Sequence, residues 1–191
     1  YTWYLTEFSR QYDDLLDLKE KSVDPIRKFM NGPQKGIFDN ARKFIQSQEP
    51  NFSYIPGNQA GQISQILTAR DCYRGTCMQQ LKTLTDSLQE EIDRQIAAEI
   101  EKAKKAVTDL KSKLCGMYEF AGLKPDQQKE IAGPFDGFCR AIGSHKLIAV
   151  IRDNLHRFEE TDYQKLMVRM SQMAQPEPEP EEKPVVKDKT G

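Results

Sequence analysis

Apolar side chains recur along most of this chain at three- and four-residue steps, the spacing of one face of an α-helix. The longest run is Leu81, Leu84, Leu88, Ile92, Ile96, Ile100, Ala103, Val107, Leu110 and Leu114. Its mean step is about 3.67 residues, the period of an eleven-residue repeat and not of a heptad, so the stripe should run nearly straight or slightly right-handed. A helix from about Thr76 to Leu114 would be about 58 Å long at the standard rise. Such a helix does not stand alone, because its apolar stripe needs a partner.

Shorter runs surround it. Tyr4, Phe8, Tyr12 (or Leu15), Leu16 and Leu18 predict a helix over residues 3–21. Asp24-Pro25 reads as a new start, with Asp24 as N-cap and Pro25 at the first helical position. Ile26, Phe29 and Met30 follow, Asn31-Gly32-Pro33 breaks or kinks the pattern, and Ile37, Phe38, Ala41, Phe44 and Ile45 resume it. Residues 48–62, rich in Pro, Gly, Asn and Ser, predict a loop whose Phe52, Tyr54 and Ile55 tuck onto helices. A short helix over 63–69 and a turn at 71–76 come before the long run. After it, Gly116 and Gly122 interrupt, and Lys124-Pro125-Asp126 starts a helix over 126–143 with a kink at Gly133-Pro134. Two further helices are predicted over 145–158 and 162–173, long enough together to run back along the long helix. No stretch alternates with period two, so no sheet is predicted. The fold class expected is all-α: an elongated helical bundle with a long antiparallel, coiled-coil-like hairpin.

Composition narrows the picture. Charged residues make up 30% and hydrophobic residues 38% of the 191, enough for a thin core under much exposed helix surface. The formal net charge of −1 argues against a general nucleic-acid or membrane binder, and no apolar run approaches a membrane span. The segment QPEPEPEEKPVVKDKTG from Gln175 onward builds no core and favours an extended linker. The expected organisation is therefore a helical module over 1–174 and a Pro/Glu-rich linker over 175–191 leading to a further domain. Tyr1 without an initiator Met fits a piece of a longer protein.

Candidate chemistry is sparse. No phosphate-binding, dinucleotide-binding, nucleophile-elbow or zinc-protease motif occurs. Gly57-Asn58-Gln59-Ala60-Gly61-Gln62 faintly resembles a phosphate loop but lacks its Lys and hydroxyl. Cys72 and Cys77 lack a matching downstream pair, and His145 and His156 are isolated from them, so buried thiols are a better reading than a metal site. Neighbouring Glu90 and Glu91 read as a solvated helix face, not an acid/base pair. Met167, Met170 and Met173 read as adaptable core, or else as a binding surface. No catalytic, cofactor-binding or metal-ligating residue is assigned.

Two basic clusters remain. Lys102, Lys104, Lys105, Lys111 and Lys113 follow an acidic stretch on the same helix, a pattern explained by the helix dipole and local ion pairs. Arg27, Lys28, Lys35, Arg42 and Lys43 have fewer acids nearby, and they are the candidate contact to a protein partner or to nucleic acid.

Four segments together carry a resemblance: DPIRKFMNGPQKGIFDNARKFI (24–45), EPNFSYIPG (49–57), CYRGTCMQQLKTLTDSL (72–88) and LIAVIRDNLHRFEETDY (147–163). They resemble the helical region in the C-terminal part of the large P-loop ATPase subunit of BREX phage-defence systems, the BrxC/PglY type. That family's ATPase motif lies upstream of this region, so the resemblance assigns no catalytic residue here. It implies a non-catalytic, cytoplasmic helical scaffold between an ATPase core and a terminal domain. The implied partners are other subunits of a defence complex or other domains of the parent chain, with direct DNA contact as the alternative.

Overall fold

The computed structural model describes residues 2–69 and 75–175. Of the turn expected over 71–76, residues 71–74 lie outside the described residues, Cys72 among them, while Gly75 and Thr76 already belong to a helix; of the Pro/Glu-rich segment expected over 175–191, residues 176–191 lie outside them too. Helices run in the order α1 (Thr2–Leu18), α2 (Asp24–Met30), α3 (Pro33–Gln48), α4 (Gln59–Thr68), α5 (Gly75–Cys115), α6 (Tyr118–Ala121), α7 (Pro125–Ile142), α8 (Ile148–Arg157) and α9 (Tyr163–Ala174). No strand occurs among the described residues, so the fold is all-α as the periodicity predicts.

Two expected helix boundaries are not ends. Residues Lys19–Val23 form a wide π-type turn that joins α1 to α2 in one continuous helix. Asp24 is helical, not an N-cap, and its backbone N–H donates to the Lys19 carbonyl five residues back. The cause is Pro25. Its ring would crowd the carbonyl four residues earlier in a regular helix, and the wider turn immediately before it gives that carbonyl room. A second wide turn, Phe158–Asp162, joins α8 to α9, with the Tyr163 N–H donating to the Phe158 carbonyl. Gly133-Pro134, expected as a kink, lies inside α7 without ending it.

The chain divides into two compact units. The first comprises residues 1–99 and 146–150. It buries Met78, Leu81, Leu88, Ile92 and Ile96 of α5, together with Ala41, Ile63 and Ile148. Ile37, Ala41 and Phe44 of α3 share a groove with Lys82, Thr85 and Gln89 of α5. The predicted loop is more ordered than expected. Residues Glu49–Tyr54 wind into a tight 3-10 helix, and α4 begins at Gln59, after a turn in which Gly57 takes φ of 93°. That left-handed conformation suits glycine alone among common residues. Phe52, Tyr54 and Ile55 are half-buried, and Asn51 beside them is fully buried.

Asn51 is buried because it is fully used. Its Oδ1 accepts the Ile148 backbone N–H at 3.0 Å, and its Nδ2 donates to the Lys146 carbonyl at 3.1 Å and to Gln48 Oε1 at 3.0 Å. It thereby supplies, from nearly a hundred residues away, the acceptor that the first turn of α8 needs.

The second unit comprises 100–145 and 151–191. Its core joins Val107 and Leu114 of α5 to Ile131 and Phe135 of α7, and to Phe158, Tyr163 and Met170. Lys111 Nζ meets Asp136 Oδ1 at 2.8 Å, and Cys139 approaches the Lys104 carbonyl at 4.0 Å. These contacts step in opposite directions along the two helices, so α7 runs antiparallel to this part of α5. Arg169–Glu130 at 3.2 Å and Tyr163–Phe135 set α9 antiparallel to α7 by the same reasoning.

The second wide turn has a packing cause. On a regular helix two residues five apart stand about 140° apart. Here Phe158 and Tyr163 both pack edge-on against Phe135, at 5.3 and 6.2 Å between ring centroids. One slack turn brings both rings to one face. Two separate helices, over 145–158 and 162–173, are predicted from the sequence, and the wide turn makes them continuous.

Candidate interaction surface

The candidate basic residues stand on the two limbs of a helical corner in the first unit. Asn31 and Gly32 form the corner, their N–H groups donating to the carbonyls of Arg27 at 3.1 Å and Phe29 at 3.2 Å. Pro33 then opens α3 at a position where no amide donor is needed. The backbone turns so closely that a Cβ on Gly32 would meet the Lys28 carbonyl oxygen at 2.7 Å. Phe29 and Phe38 lock the limbs, edge to face at 6.0 Å.

Arg27 and Lys28 are exposed on α2, and Arg42 and Lys43 are exposed on α3. Lys35 is half-buried, and its Nζ reaches Asp39 Oδ2 at 2.6 Å, one turn along α3. The Arg42 guanidinium sits 5.1 Å from the Phe38 ring centroid, a cation–π contact that holds it beside the corner. Asp39 is the acid that sequence spacing undervalued. The hydrogen bond from Lys35 holds its carboxyl below the usual range, and the charges of Lys35, Arg42 and Lys43 add to that effect. The structure therefore gathers three of the five basic residues around one carboxylate. Its signal was present as a Lys–Asp pair four residues apart.

The remaining candidates fall into structural roles. Glu91 pairs with Arg94 at 2.6 Å, and this bond, helped by Gln95, lowers its carboxyl below the usual range. Met170 is buried in the second unit's core, with Met167 and Met173 packed against it. In the second basic cluster, Lys104 meets Glu101 at 3.4 Å on its own helix, while Lys111 reaches across to α7. Burial pushes the Cys115 thiol up, which keeps it protonated and poorly nucleophilic. Among the described residues no group of three or more His, Cys, Asp or Glu could hold a metal ion, and no helix is long and apolar enough to cross a membrane.

The apolar residues whose spacing predicts α1 are not covered among the described residues: Phe8, Tyr12, Leu15, Leu16 and Leu18 are all exposed. Periodicity marks that face as apolar but carries no signal for what covers it.

No curated protein and no solved structure matches the chain. The segment holding α1, α2, α3, all five candidate basic residues and Asn51 does match a known family. Residues 1–52 match the model of the BREX ATP-binding protein BrxC alpha helical domain, so this stretch is similar to a helical region of the BrxC type.

Proposed function

We propose that this chain is a non-catalytic helical scaffold of a BrxC-type ATPase, working in the cytoplasm within a bacterial anti-phage and DNA-modification system. On this reading Arg27, Lys28, Lys35, Arg42 and Lys43 dock onto another subunit of the defence complex or another domain of the parent chain. The observation that carries the choice of a protein partner is Asp39, seated among Lys35, Arg42 and Lys43 with its carboxyl 2.6 Å from the Lys35 ammonium. An ionised carboxylate inside a basic patch repels phosphate but suits a protein face of mixed charge. The family match over 1–52 supports the parent assignment.

Direct contact with duplex DNA is the second reading, favoured by the exposure of Arg27, Lys28, Arg42 and Lys43. The two separate in a gel-shift titration of the 191-residue chain across salt concentrations. Protein docking predicts little DNA affinity at physiological salt. Tight, saturable binding that weakens steeply with salt and vanishes in K35E/R42E/K43E would establish the DNA reading instead. Under the scaffold reading the same triple variant, placed in the full-length protein, costs phage defence through lost assembly. Calorimetry with ATP should show no stoichiometric binding to this chain.

A further inference from the structure

Helix Thr2–Met30 carries an apolar stripe that the described residues leave uncovered. Phe8 is 69% exposed and Leu15 64% exposed, and every side chain from residue 8 to residue 18 is exposed. Phe8 and Tyr12 stack on each other at 6.4 Å with their planes 14° apart, in solvent. Past the wide turn, Val23, Ile26 and Met30 continue the exposed stripe. Helices of this kind are marginal in water unless an apolar face is packed.

The pattern of the stripe indicates its occupant. Phe8, Tyr12 and Leu15 follow steps of four and three, and Met30, Ile26 and Val23, taken from the other end, follow the same steps. Charge is graded along the helix in the opposite sense at the two ends. Up to Asp17 there are four acids (Glu7, Asp13, Asp14, Asp17) against one base, Arg10. From Leu18 to Met30 there are four bases (Lys19, Lys21, Arg27, Lys28) against two acids. A second copy laid antiparallel sets each acidic half against a basic half, while a parallel copy sets like on like. A two-fold pairing of this kind uses one patch twice and closes. The acids around Phe8 and Tyr12 disfavour nucleic acid as the stacking partner.

We infer that helix Thr2–Met30 pairs antiparallel with the same helix of a second copy of this chain, burying the Phe8–Tyr12–Leu15 and Val23–Ile26–Met30 stripes. This goes beyond the docking role proposed for the five basic residues: it sets Arg27 and Lys28 beside the second copy and leaves Lys35, Arg42 and Lys43 of α3 to test docking apart from it. Sedimentation equilibrium of the 191-residue chain should show a concentration-dependent dimer. F8S/L15S should weaken the dimer at least about tenfold with unchanged far-UV ellipticity at low concentration. D13K/D14K/D17K and K19E/K21E/R27E/K28E should each be monomeric alone, and mixing them should restore a one-to-one dimer. K35E/R42E/K43E should dimerise like the parent, so loss of docking and loss of pairing are distinguishable. A chain that stays monomeric at every concentration overturns the inference and gives the stripe to another occupant. A dimer indifferent to F8S/L15S places the interface elsewhere, and a mixture of the charge variants that stays monomeric refutes antiparallel pairing.

Discussion

Helix Thr2–Met30 and helix Ile148–Ala174 are built alike and situated differently. Each is continuous, and each is eased by a five-residue wide turn. In the second, Phe158, Tyr163 and Met170 are buried in a core shared with α5 and α7. In the first, Phe8, Tyr12, Leu15, Val23, Ile26 and Met30 stay exposed. The wide turns differ in origin as well. One answers a proline that the backbone must accommodate, and the other answers two aromatic rings that must reach the same neighbour. A slack turn is thus not a single signal. Its meaning depends on whether the side chains around it find a partner within the chain.

The comparison breaks most visibly at Phe135, the ring against which both sides of the second wide turn pack. Phe135→Ala should cost about 3–5 kcal/mol, the usual loss for a buried phenylalanine in a close-packed core. Phe8→Ala in the monomer should change stability by no more than about 0.5 kcal/mol, because an exposed ring forfeits little burial. Chemical denaturation of both variants at low protein concentration measures the contrast. Similar losses at the two positions would mean that the stripe on α1 is already covered within one chain.

A middle-sized effect lies at Asn51. Asn51→Ala leaves the buried Ile148 N–H and the part-buried Lys146 carbonyl without their partner. The expected loss is about 1–3 kcal/mol, read as a lower denaturation midpoint at an unchanged slope. Asn51→Asp should lose more than Asn51→Ala if the site stays dry. Its carboxylate would sit buried against the Lys146 carbonyl, which accepts and does not donate.

These residues also show how much the sequence disclosed. Most of the long α5 stripe was legible: Leu81, Leu88, Ile92, Ile96, Ala103, Val107 and Leu114 are buried as its period requires, while Leu84, Ile100 and Leu110 are half-buried. The start of α7 at Pro125 was legible too, since proline and the Gln127 side chain, which accepts the Lys124 N–H at 3.0 Å, are local devices. The two wide turns were not. Asp24-Pro25 has the form of a helix start, and only the turn before it shows that the backbone continues. Asn51 looked like any loop asparagine, because its partners lie 95 and 97 residues away. Of the candidate surface, the five basic residues were visible in the sequence. Asp39's place among three of them needed the turn of α3 in space.

The smallest expected effect sharpens the comparison at its exposed end. On α1, Arg10 grips Glu7 with two nitrogens, at 2.6 and 3.2 Å, and reaches Asp14 at 3.0 Å. Gln11 donates to the same Glu7 oxygen at 3.0 Å. The Arg10 hydrogen bond, then that of Gln11, lowers the Glu7 carboxyl from its ordinary 4.5 to about 2. Because the folded value is depressed, whatever this pair contributes to helicity is fully present above 4.5. It is lost as pH falls toward 2. The pair is solvent-exposed, so the contribution is small and salt-screened. A carboxyl-carbon NMR titration should place the Glu7 midpoint well below that of an unpaired glutamate, with the ellipticity of the α1 region fading over the same range. Arg10→Gln should return Glu7 to the ordinary range, and high salt should move it part of the way. An ordinary midpoint in the parent chain would mean that α1 does not hold Arg10 against Glu7 in solution. The helix would then be less formed than its paired side chains imply, and the apolar stripe it carries would need its partner in order to fold.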